Sequence, residues 1–260
     1  MKSQAEKAAI FRALHQRNRA FIIPNPWDIG TAKMLETLGF EALATTSAGF
    51  AQSIGKTDGA VDRDTMLAHA AQLVDATDLP VSADLENGYA DDPAGVADTV
   101  RLAAAAGLAG CSIEDLPAGR AGEPYAIDFA ADRIAAAARA ARALPFPFVL
   151  TARAENYIAG HPDLADTIAR LQAYQAAGAD VLYAPGLRDA GDISAVVRAL
   201  NRPVNVLMGL SGVDFTLADL STLGVRRVSI GSGLSRLAFA TAERAAKEML
   251  DRGDFSALTR

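Results

Sequence analysis

The chain has 260 residues, half of them apolar, and its 31 Asp and Glu outweigh 25 Lys and Arg to give a formal charge of −6. An acidic balance without a basic stripe argues against a nucleic-acid or anionic-membrane surface, and no apolar run approaches the roughly 20 residues of a membrane span. A lone cysteine, Cys111, excludes an internal disulfide framework and any multi-cysteine metal site.

In chain order, MKSQAEKAAIFRALHQ reads as a charged amphipathic helix without the apolar core and cleavage site of a secretory signal, so a cytoplasmic protein is expected. FIIPNP (21 to 26) is the first strand. LETLG then closes a helix at Gly39 before FEALATT, the second strand. Met66, Leu67, Ala70, Leu73 and Val74 recur at helical spacing, and Pro80 leads into VSAD. Asp92-Pro93 is an N-cap and first helical residue ahead of AGVADTVRLAAAA, which ends at Gly107 before CSIED. Pro147 enters FVLTAR, Gly178 precedes DVLYAP, Pro203 enters VNVLM and Gly224 precedes VRRVSIG.

That makes eight strands. From the second onward the even ones are entered through Gly, which suits the left-handed position closing a helix, and the odd ones through Pro. Eight strand-helix alternations over about 250 residues predict an α/β fold, a (β/α)8 barrel forming one domain over residues 1–260. A doubly wound open sheet should carry a glycine-rich phosphate loop after its first strand, and FIIPNPWDIG does not match one.

Charged clusters stand where three apolar runs stop, and in a parallel barrel such strand ends form the mouth that carries chemistry. In VSADLENGY, residues Ser82, Asp84 and Glu86 share one parity and, if extended, one face. Ser112 and Glu114 share a face in the next run, and Thr151, Arg153 and Glu155 in the third. The expectation is a cavity of carboxylates around one guanidinium. Cys111, three residues before Glu114, then points outward to the helices as a small buried apolar residue. His15 and His69 fall on helices and His161 precedes Pro162, so zinc is not expected.

FIIPNPWDIGTAK, the Ser/Thr-rich turn followed by IGKTD, SADLENGY, IED (113 to 115) and TAR (151 to 153) occur in an order that resembles the isocitrate lyase and phosphoenolpyruvate mutase superfamily, over about residues 20 to 240. The resemblance implies a barrel dependent on Mg²⁺, with Mn²⁺ able to substitute, that breaks or makes a C–C or C–P bond next to a 2-oxo acid. It implies Asp84, Glu86 and Glu114 as metal ligands, although the family more often has Asp where Glu86 stands. Asp58 would act through water, and Arg153 would hold the substrate's anionic end. Thr46, Ser47 and Ala48 would hold its carboxylate, with Asn205 at another strand end as a ligand or a capping amide. Residues 116 to 126 would close as a lid, in which Arg120 stands near the family lysine. It further implies a homo-oligomer, dimer or tetramer, with the C-terminal helix exchanged between subunits.

The loop after the fourth strand departs from the family's lyase branch: LPAGRAGEPY lacks the Lys-Lys-Cys-Gly-His type stretch of isocitrate and methylisocitrate lyases. The expected function is therefore a Mg²⁺-dependent C–C lyase, oxaloacetate decarboxylase-like or 2-methylisocitrate lyase-like, acting on a small anionic 2-oxo acid. The alternatives are C–P chemistry of the phosphonopyruvate hydrolase or phosphoenolpyruvate mutase type, and a barrel that binds a 2-oxo acid without turnover. GSG (231 to 233) reads as a turn rather than a phosphate cradle.

Overall fold

The computed structural model describes residues 2–117 and 122–259. Eight parallel strands, β1 (Phe21–Ile23), β2 (Leu43–Ala44), β3 (Val81–Asp84), β4 (Gly110–Glu114), β5 (Val149–Arg153), β6 (Val181–Tyr183), β7 (Val204–Leu207) and β8 (Arg227–Ser229), pair in the order β1-β8-β7-β6-β5-β4-β3-β2. The seam between β1 and β2 is crossed by the Ala44 N–H donating to Pro24 O at 3.1 Å and by Asn25 Nδ2 donating to Thr45 O at 3.0 Å. The sheet thus curls into a barrel.

Helices α1 (Gln4–His15), α2 (Ile29–Thr37), α3 (Ser47–Ser53), α4 (Arg63–Ala76), α5 (Pro93–Ala105), α6 (Ile127–Arg142), α7 (Leu164–Ala176), α8 (Ala190–Ala199) and α9 (Leu217–Thr222) precede and connect the strands, and α10 (Gly233–Arg252) follows the last. Local chemistry sets their ends. Asp28, Asp62, Asp92, Asp163 and Asp189 each accept a backbone N–H of the first turn of α2, α4, α5, α7 and α8, a cap that contributes about 1 kcal/mol. Gly39, Gly107, Gly178 and Gly224 all have positive φ, as the Gly-entered strands require.

Two apolar clusters result. The larger lies between strands and helices and contains Cys111, Leu150 and Leu182. The smaller closes the barrel floor, where Ala8, Phe11 and Leu14 of α1 meet Phe21, Ile23, Val149 and Val181. Gly110 permits that closure: a Cβ there would stand 2.4 Å from Val149 O and 3.1 Å from Phe11 Cε1.

His15 is carried into the floor by α1. Burial, then the nearby Arg227 cation, lowers its pKa to about 3, and Nδ1 lies 2.8 Å from Phe11 O as donor. The unfolded chain takes up this proton near pH 6.5 and the folded protein only near 3, so stability falls as pH drops through that window. Between pH 7 and pH 5 this group alone is expected to remove about 2 kcal/mol. Urea unfolding of wild type and His15→Gln at both pH values checks it: the acid loss should shrink in the variant, and an unchanged loss would contradict it.

In α10 only Ser235 and Ala245 are buried, while Leu237, Phe239 and Leu250 on the helix, with Phe255 and Leu258 beyond it, are exposed. No helix among the described residues is long and apolar enough to cross a membrane.

Candidate active site at the C-terminal mouth of the barrel

A cavity of about 260 Å³ opens at the carboxyl ends of the strands. Thr46, Ser47, Ala48, Asp58, Asp84, Arg153 and Asn205 all line it. Arg153, at the end of β5, is its electrostatic centre. Nη1 donates to Asp84 Oδ1 at 2.7 Å, Nε donates to Glu155 Oε1 at 2.9 Å, and Nη2 lies 3.2 Å from Glu114 Oε2. Burial works against the guanidinium's charge, but Glu155, Asp84 and Glu114 outweigh it and hold its pKa well above the ordinary value. The Arg153 Cζ also sits 5.1 Å from the Tyr183 ring centroid.

Asp84 is held from several sides. Ser47 Oγ donates to its Oδ2 at 3.1 Å, and its own N–H donates to Thr45 Oγ1 at 2.9 Å. Thr46 caps α3, its Oγ1 accepting from Gly49 N at 3.2 Å. Asn205 is engaged from β8, donating to Ser229 Oγ at 2.9 Å and accepting from Arg227 Nε at 2.9 Å.

Glu86 lies past the end of the strand, not on the face it was expected to share with Ser82 and Asp84. β3 ends at Asp84, and Glu86 adopts φ 48°, in the left-handed region. Strand alternation therefore does not extend to Glu86, because the chain turns at Leu85, where the Gly88 N–H donates to Leu85 O at 2.7 Å. Glu86 is buried, and its carbonyl accepts from Glu114 N at 2.9 Å. Glu86 and Glu114 are absent from the cavity lining that holds Asp84 and Asp58. Burial, then Glu86, Asp84, Asp58 and Glu114, raises the Tyr89 phenol pKa, so all four carboxylates act on this one hydroxyl.

Among the described residues no three His, Cys, Asp or Glu side chains are grouped closely enough to hold a metal ion by themselves. The donors present are all oxygen. Hard cations such as Mg²⁺ accept one or two carboxylates and keep several waters, so Asp84, with Asp58 on the same cavity wall, fits such an ion in chemistry. Arg120 and the centre of the 116 to 126 segment lie outside the described residues.

The residues that brace this site carried no motif. Arg133 of α6 is fully buried and donates to four carbonyls: Asp91 at 2.9 Å, Glu114 at 3.1 Å, Ala90 at 2.9 Å, and Asn87. It ties the turn after β3 to the end of β4. Asp115 accepts from Glu155 N at 2.8 Å, from Arg170 Nη1 at 3.1 Å and from the Tyr174 hydroxyl, fixing the end of β5 from behind. A charged residue on the apolar stripe of a helix was the available signal for Arg133 and Arg170.

Cys111 is fully buried in the strand-helix core, and burial pushes its thiol pKa up. A neutral thiol away from the cavity is not a proton donor for it. Cys111→Ala is expected to keep the rate for the true substrate within about tenfold, roughly 1.4 kcal/mol in barrier. A folded variant with activity lowered a hundredfold or more would contradict that placement.

The family model described as phosphoenolpyruvate phosphomutase matches residues 11–250. A Burkholderia cenocepacia crystal structure of proposed lyase/mutase type is 59% identical, covers 98% of this chain and 92% of its own, and superposes with a TM-score of 0.96. An uncharacterized protein of Mycobacterium tuberculosis is 37% identical over 85% of this chain and 81% of its own length. An oxaloacetate decarboxylase of a Bradyrhizobium species is 32% identical over 83% of this chain and 74% of its own. With the barrel, the family match and these relatives together, the chain belongs to the phosphoenolpyruvate phosphomutase family of the isocitrate lyase and phosphoenolpyruvate mutase superfamily.

Proposed function

We propose that the protein is a Mg²⁺-dependent lyase that cleaves a C–C bond beside the 2-oxo group of a small acid, with oxaloacetate-like decarboxylation as the leading reaction. One observation carries the reading: Arg153 pairs with Asp84, Glu114 and Glu155 at a barrel-mouth cavity. Three carboxylates surround that one guanidinium, an excess of negative charge that suits a divalent cation together with an anionic substrate. The similarity to an oxaloacetate decarboxylase supports the substrate class.

Asp84, with Glu86 and Glu114 behind it and Asp58 through water, would hold the ion. When bound, Mg²⁺ supplies Lewis-acid stabilisation to the enolate oxygen that develops as the bond breaks. Arg153 offers a planar fork to a carboxylate and stays charged at any working pH. Ser47 and Ala48, beside Thr46, line the wall against which that carboxylate rests. Asn205, already engaged by Ser229 and Arg227, orients the inner end of the cavity. Decarboxylation needs no cysteine acid, in keeping with a buried Cys111.

The second reading, C–P cleavage of a phosphonopyruvate-like substrate, is favoured by the family match itself. Incubating the protein and Mg²⁺ with oxaloacetate, isocitrate, methylisocitrate, alkylmalates and phosphonopyruvate separates the two. Pyruvate with CO₂ supports the first and phosphate the second; ligand binding without any product would leave a non-catalytic 2-oxo acid-binding barrel.

The exposed apolar residues of α10, Leu237, Phe239 and Leu250, support a homo-oligomer formed by exchange of this helix. Sedimentation should give a mass of a dimer or tetramer, and a monomer at micromolar concentration would contradict it.

A further inference from the structure

Strand register aligns one residue from each of five neighbouring strands: Glu114, Arg153, Tyr183, Asn205 and Arg227. The row begins and ends with charge, and its two guanidiniums live in opposite surroundings. Arg153 has three carboxylates. Arg227 has no carboxylate partner among the described residues; its contacts are Asn205 Oδ1 at 2.9 Å from Nε and neutral His15 Nε2 at 3.4 Å from Nη1. It is 5% exposed, yet it lines the same cavity as Asp84 and Arg153.

A buried cation left without an anion is unfavourable, because neither water nor a counter-charge replaces its hydration. Consistent with that, burial lowers the Arg227 pKa to about 10, with Tyr183 opposing the shift and Arg153 adding to it. The surroundings also preorganise the guanidinium. Asn205 fixes Nε from one side, and the His15 ring, whose Nδ1 is committed to Phe11 O, presents only an acceptor nitrogen from below. A guanidinium so held, with the rest of its fork toward a cavity, is suited to bind a carboxylate.

We propose that Arg227 is a substrate-binding residue that receives the distal carboxylate of a dianionic substrate, so that the cavity selects 2-oxo dicarboxylates over 2-oxo monocarboxylates. The proposal rests on reading the cavity as a 2-oxo acid site and adds the residue that receives the second carboxylate. One carboxylate lies toward Arg153 and the mouth, the other toward Arg227 and the floor. Tyr183 and Asn205, between the two guanidiniums in the register, flank the substrate's middle.

The test is calorimetric titration of the Mg²⁺-loaded protein with 3,3-difluorooxaloacetate, a dicarboxylate that resists cleavage, and with pyruvate. Wild type should bind the dicarboxylate at least about tenfold more tightly, and Arg227→Met should weaken the dicarboxylate by about ten- to a hundredfold while leaving pyruvate within about threefold. Tenfold corresponds to about 1.4 kcal/mol. Arg227→Lys, which keeps the charge and not the fork, should fall between the two and serves if the Met variant does not fold. Equal weakening of both ligands, or none, in a folded variant overturns the role of Arg227 and leaves the 2-oxo acid reading standing. Failure of wild type to bind either ligand overturns both.

Discussion

Asp84→Ala is expected to lower kcat/KM for the true substrate by at least about a thousandfold, about 4 kcal/mol in barrier, while the protein stays folded. Asp84 stands at the end of β3 on the cavity wall, paired with Arg153 and hydrogen-bonded by Ser47. It is the acid best placed to meet both a cation and the cavity. Its side chain keeps 17% exposure, so truncation leaves room for water rather than a dry void. Excess chelator should produce a loss of the same order in wild type, restored by Mg²⁺ or Mn²⁺. In the Asp84→Ala protein, added metal should restore little. A variant with near-normal turnover, or a wild type indifferent to chelator, would contradict the metal assignment.

Arg153→Met should be the more damaging change, because it removes activity and stability together. Asp84, Glu114 and Glu155 would lose their common guanidinium in a site where Glu114 and Glu155 are almost completely buried. Removing one member of a buried ion-pair group costs about 3 to 5 kcal/mol. The variant's pH dependence should also invert. Buried carboxylates deprived of a neighbouring cation have raised pKa values, so the folded variant holds protons that its unfolded chain releases, and its stability falls as pH rises. Wild type loses stability in the opposite direction, as His15 takes up a proton on unfolding in acid. Urea midpoints of the two proteins at pH 5 and pH 8 read this directly. A variant as stable as wild type at pH 8 would show that the three ion pairs contribute little.

The barrel was legible because its signals are local. A glycine at a left-handed helix end, a proline before a strand and an aspartate before a helix each act within a few residues, and Gly107, Pro147 and Asp92 each stand where the sequence places them. Alternation also put Asp84, Glu114 and Arg153 on faces that meet, since Arg153 reaches both carboxylates, although Glu114 does not line the cavity. It failed at Glu86, because parity holds only while the chain is extended and the strand had already ended at Asp84.

Long-range partnerships were not legible. Arg133 falls on the apolar stripe of α6, but nothing in its neighbourhood of the chain shows that the turn after β3 delivers carbonyls to it. Arg227 is a subtler case. Two consecutive arginines before and in β8 must face opposite sides of the strand, so one had to enter the barrel, but only the assembled register shows that Arg227 does and that it meets His15 there. The proposed selection of dicarboxylates depends on that buried arginine and on no sequence motif.

In the proposed reading a divalent cation and a 2-oxo acid occupy one site at Asp84 and Arg153. Oxalate, a stable planar mimic of the pyruvate enolate, tests it most directly when titrated calorimetrically into the protein with Mg²⁺, with chelator, and into Asp84→Ala with Mg²⁺. Micromolar binding in the first case, weakened by at least about a hundredfold in the other two, is the predicted result. Equal affinity with and without metal would contradict it.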